Sequence, residues 1–187
     1  MGRVESFSDG VIAIILTIMV LDLKVPQEAT LQGLLSIWPT LTAYALSFLV
    51  VAIMWVNHHH ELRTAKRPDA ALLWANNLLL FWMSLIPFVT RYLGDSHAAP
   101  LAVAVYAGEL ALTCISFFWL QHVLCRHNLG NETRERQYRH MQLKSSLAIA
   151  SYLLAVPLAF VSVRTAMGIL VLIPMAYFLP ERKLLET

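Results

Sequence analysis

The stretch FSDGVIAIILTIMVLDLKVP, residues 7–26, decides how the chain is built. Its uninterrupted apolar part, Val11 to Leu21 with Thr17 inside it, covers only about 16 Å of helix, against a bilayer core of about 30 Å. Extended from Phe7 to Val25, it reaches about 28 Å, with Asp9 and Asp22 near its two ends and Pro26 as the stop. Read this way, it is the first of six spans. Its flanks, Arg3, Glu5 and Asp9, with no small-x-small cleavage site after the apolar run, do not make a signal peptide, so the helix is expected to stay in the mature protein.

The remaining apolar blocks follow at regular intervals. Spans are expected at about 35–56, 70–92, 101–124, 145–163 and 165–179, forming a single domain over 1–187. Pro87, Pro157 and Pro174 fall inside spans and are expected to kink them. Spans five and six meet at Arg164 as a helical hairpin. Arg126 to Lys144 is the one substantial polar segment.

Composition agrees. Apolar residues make up 58% of the chain and charged residues 14%, where soluble domains have about 45–50% and about 25%. The formal net charge of +2 excludes the dense basic face of a nucleic-acid binder. Cys114 and Cys125 lie about 16 Å apart on one helix, too far for a disulfide.

Basic residues fix the orientation. Of the 14 Lys and Arg, all but Lys24, Arg91 and Arg164 fall on the side of the N-terminus when six spans are drawn. This bias is a positive-inside signal, which places both termini in the cytoplasm. A six-helix unit of this size is too small to enclose a wide pathway, and a homo-oligomer around a symmetry axis is the natural route to one.

Few residues carry chemistry. Ser8 and Asp9 read as caps of the first helix, or Asp9 reads as an anchor that holds it through buried hydrogen bonds. For the anchor, candidate partners are Arg3, Asn57, His58, His59, Asn76 and Asn77. The stripe Gly10, Ile14, Thr17, Leu21 and Lys24 begins at i, i+4, i+7 and i+11, and by spacing and composition alone it reads as a packing or lipid-facing stripe. The run His58-His59-His60 admits structural, metal-binding or pH-sensing readings. Adjacent helix positions point about 100° apart, and no Cys or acid cluster joins them, so no metal or cofactor is expected. Glu109 is an acid deep in a span. No nucleophile–base set, phosphate loop or carbonyl-cage filter motif is present, which sets aside enzyme chemistry and the usual potassium filter.

Arg3, Phe7, Ser8 and Asp9 together match the R-x-x-x-F-S-D signature, and on them the chain resembles the transmembrane protein 175 family in its bacterial, single-repeat form. Trp55, Asn57, His58 and His59, and the run from Asn76 and Asn77 to Pro87, are also similar to its second and third helices. The resemblance implies an all-α integral membrane protein in the bacterial inner membrane, with six helices per subunit. Four subunits surround a central pore lined by helix 1. It implies a passive potassium channel without a carbonyl filter, whose partners are potassium ions, its own copies and the bilayer. Ile14 would form the narrowest ring, Thr17 the next and Leu21 an outer one. Arg3, Phe7, Ser8, Asp9 and Gly10 would hold the helix rather than touch ions. A proton-coupled secondary transporter using Glu109 or Asp22 is the alternative, and a membrane scaffold docking through Arg126–Lys144 is a third reading.

Overall fold

In the computed structural model, the first helix, α1, runs from Gly2 to Leu21. The structure describes residues 2–26, 28–63, 65, 69–127 and 132–178. The signature Arg3–Asp9 therefore lies inside the helix, so Ser8 and Asp9 cap nothing. The helix also stops at Leu21, short of the expected Val25. Pro26 disfavours helical geometry in the residue before it, and the turn closes early with Leu23 N–H donating to the Val20 carbonyl at 3.2 Å.

A short helix, α2 (Leu31–Ser36), capped by the Thr30 hydroxyl, precedes α3 (Trp38–Leu62), which starts with Pro39 in its first turn. Helix α3 thus runs past the expected Val56 and includes Asn57 to His60. The third span is broken. It consists of α4 (Ala70–Met83), capped by Asp69, and α5 (Ile86–Asp95), with Pro87 in the first turn of α5. Pro87 has no N–H to give, so the helix ends and restarts there.

The last three helices are α6 (Pro100–His127), α7 (Glu132–Val161) and α8 (Val163–Phe178). Much of the polar segment Arg126–Lys144 is therefore helix. Only Ser162 separates α7 from α8, and Arg164 lies within α8. Pro157 and Pro174 sit inside their helices. Leu179, Pro180, Arg182, Lys183, Lys66 and Arg67 lie outside the described residues.

Among the described residues, five helical stretches are long and apolar enough to cross a membrane: Gly2–Leu21, Trp38–Leu62, Ala70–Asp95, Pro100–Arg126 and Met141–Val161. A shorter apolar helix, Val163–Tyr177, completes the six. The chain is an all-α membrane bundle. Helix α6 is its spine, packing on α7 and on α4, while α1 rests on α3, α4 and α5. Leu72, Leu79, Met83, Ile86, Tyr106, Leu110 and Leu120 are fully buried at its centre. At Gly94, α5 comes so close to α3 that a Cβ there would sit 2.9 Å from Thr40 Cα.

Candidate functional site: the first helix and its supports

Helix α1 has two distinct faces. Ser8, Ile12, Ile15 and Met19 are buried against the rest of the subunit, at the i, i+4, i+7, i+11 spacing of one helical stripe. The opposite stripe, Gly10, Ile14, Thr17 and Leu21, is exposed, with Ile14 at 58% and Leu21 at 81%. The Thr17 hydroxyl donates to the Ile14 carbonyl at 2.9 Å, within its own helix. Beside this stripe, α1 and the broken α4–α5 helix enclose an apolar groove of about 510 Å³. Ile14, Ile18, Asp22, Pro87, Phe88 and Arg91 are among its walls.

The buried face is pinned by a polar cluster. Asn76 Nδ2 donates to Ser8 Oγ at 3.0 Å, and Asn76 Oδ1 lies 2.7 Å from His58 Nε2. Ser8, Asn76 and His58 are all essentially inaccessible, so each supplies what the others need in an apolar surround. Asp9 is held differently. Its Oδ1 accepts from Trp55 Nε1 at 2.8 Å, and the Trp55 ring lies against His59 with centroids 6.0 Å apart.

Sequence reasoning expected one anchor centred on Asp9, and the structure divides it in two. Ser8 takes Asn76 and His58, and Asp9 takes Trp55, which was not among the expected partners. An indole N–H is a donor without acceptor capacity, and a half-buried carboxylate takes such a donor; that complementarity was a usable signal. His59 contributes through Trp55. Asn77 is exposed and Asn57 half-buried. Arg3 and Phe7 are exposed in the protomer, so they do not pin α1 within it.

The far end of α1 is tied by charge. Arg91 Nη1 lies 3.1 Å from Asp22 Oδ1, Arg91 Nε 3.5 Å from Asp95 Oδ2, and Lys24 Nζ 3.4 Å from the same Asp95 oxygen. Lys24 and Arg91, two of the three basic residues separated from the rest by the charge count, thus meet at one end of the bundle.

Further polar groups are buried within the bundle. The Ser47 and Tyr106 hydroxyls lie 2.8 Å apart, and Thr90 Oγ1 lies 2.7 Å from both Ser47 Oγ and the Ile86 carbonyl. Glu61 accepts from Gln121 Nε2 at 2.6 Å, and Gln121 Oε1 accepts from Ser145 at 3.0 Å. Glu61 was not singled out from sequence. Its place three residues after His58, on the same face of α3, was the available signal. Glu109 is buried in α6 and accepts from the Thr113 hydroxyl at 2.7 Å. No cluster of three metal-ligating side chains occurs among the described residues.

Comparisons with known proteins converge. Residues 3–87 match a family described as endosomal/lysosomal potassium channel TMEM175. A protein named potassium channel from Chryseobacterium sp. strain P1-3 is 39% identical over 98% of this chain and 95% of its own length. One of the same description from Streptomyces collinus is 37% identical over 86% of this chain and 83% of its own length. The crystal structure of a lysosomal potassium-selective channel TMEM175 homolog from Chamaesiphon minutus superposes with a TM-score of 0.85. It is 33% identical and covers 95% of this chain and 96% of that one.

Proposed function

The chain belongs to the TMEM175 family of potassium channels, and from that premise we propose that four copies surround a pore lined by α1. Ile14 forms the constriction, Thr17 the next ring and Leu21 an outer apolar ring. The observation that supports this reading is the division of α1 into two faces. One face is fixed to the subunit through Ser8, Asn76 and His58. The other leaves Gly10, Ile14, Thr17 and Leu21 exposed on the protomer surface. An apolar ring conducts when it is wide enough to stay wet and blocks when it dewets. Potassium sheds water more readily than sodium, so the ring passes potassium with modest preference, aided by water held at the Thr17 hydroxyls.

The whole chain acts as one six-helix channel domain in the bacterial inner membrane, with its permeant ions, its copies and lipid as partners and no catalytic role. Both termini face the cytoplasm, as the basic bias indicates. Reporter fusions test this: a fusion at position 96 reports outside and one at position 130 inside, and the reverse pattern rejects the topology.

The pore assignment is tested by Ile14→Asn in planar bilayers. The polar ring wets the constriction, so conductance rises and the potassium-to-sodium permeability ratio falls. An unchanged ratio removes Ile14 as the constriction.

A further inference from the structure

The groove that holds Ile14 also holds the outer ion pair. Asp22 and Arg91 both line it, together with Ile14 and Ile18. Asp22, just past the end of α1, lies eight positions after Ile14, about 12 Å along the helix axis. The four charged groups here balance: Asp22 and Asp95 against Arg91 and Lys24. Arg91 is Asp22's partner, whereas Asp95 also has Lys24. Both sides of the Asp22–Arg91 pair are open to solvent, at 27% and 50% side-chain exposure, so the pair adds little to folding stability.

We propose that Arg91 is a charge mask, which neutralises Asp22 at the outer mouth of the ion path and so limits how strongly that mouth gathers cations. This rests on the pore reading of α1, under which the pair is repeated four times around the axis. Four unmasked carboxylates in a mouth with apolar walls would concentrate cations and speed their entry. Masked, they contribute little field. Removing Arg91 frees Asp22 while leaving Asp95 its Lys24.

The experiment is a charge cycle read by single-channel conductance in symmetrical potassium chloride. At low salt, Arg91→Gln raises conductance by roughly two- to tenfold, Asp22→Asn lowers it, and Asp22→Asn with Arg91→Gln returns it to the parent value. Arg91→Lys stays at the parent value. At 1 M salt, where screening acts within about 3 Å, all four variants match the parent. A purely structural role for the pair would not produce opposite signs that cancel in the double variant and vanish with salt. The mask is rejected if Arg91→Gln leaves low-salt conductance unchanged or if the double variant behaves like Arg91→Gln alone. If Ile14→Asn alters permeation while this cycle is flat, the pore reading stands and the mask alone falls. If Ile14→Asn is also silent, the pore reading falls first.

Discussion

Trp55 on α3 donates its indole N–H to Asp9 on α1 at 2.8 Å, directly beside the buried contact between Ser8 and Asn76. The two bonds fix α1 in depth and rotation, because neighbouring positions on a helix project about 100° apart. A helix held on two azimuths cannot roll. The face it turns away from the subunit is therefore set by residues that do not lie on that face.

Trp55→Phe keeps the ring against His59 and removes the donor. The expected loss is about 1.5 kcal/mol, at the lower end for a bond to a charged acceptor because Trp55 is partly exposed. Thermal unfolding in detergent measures it, with Asp9→Asn, which retains an acceptor oxygen, losing less. Equal melting of Trp55→Phe and the parent would show that the bond does not hold α1.

Asn76→Ala leaves the Ser8 hydroxyl and His58 Nε2 buried without their shared partner. The cost is about 2–4 kcal/mol, the range for stranded polar groups in a core. Asn77→Ala, one position along and exposed, stays within about 0.5 kcal/mol. Melting temperatures of the two variants separate these outcomes.

Gly94→Ala forces a methyl to 2.9 Å from the Thr40 backbone, so α3 and α5 must part. Overpacking of this kind costs about 1–3 kcal/mol. Gly10→Ala meets nothing within 4 Å in the protomer and leaves subunit stability intact. It lies on the proposed pore stripe, so conductance is its readout. Comparing melting for the pair tells a glycine required by close helix packing from one that is not.

Thr17→Ala removes a hydroxyl whose described bond is to the Ile14 carbonyl of its own helix. Stability changes by less than about 0.5 kcal/mol, while the potassium-to-sodium permeability ratio falls. Thr17→Ser keeps the hydroxyl and keeps the ratio. Reversal potentials under bi-ionic conditions provide the measurement, and an unchanged ratio in Thr17→Ala removes Thr17 from the ion path.

Much of the fold was legible in local terms. Runs of apolar residues mark the spans because lipid demands them wherever they fall in the chain. The break before Pro87 and the stop before Pro26 are likewise local, since a missing N–H and a steric clash act on adjacent residues. The helix ends were less legible. Gly2 to Ser6 are polar enough to read as a flank, yet they continue α1, whose residues Ser8 and Asp9 pair with Asn76 and Trp55.

The sequence by itself determined that this is a membrane bundle, and the RxxxFSD run pointed to its family; both rest on composition and order along the chain. It also placed Gly10, Ile14, Thr17 and Leu21 on one stripe of α1, since helical periodicity needs only spacing. Tertiary structure decided which way that stripe faces, because facing depends on contacts across 46 to 68 residues of chain, Trp55 to Asp9 and Asn76 to Ser8. It also decided that Asp22 meets Arg91. Nothing in local spacing pairs residues 69 apart; only the packing of α1 against α5 does so.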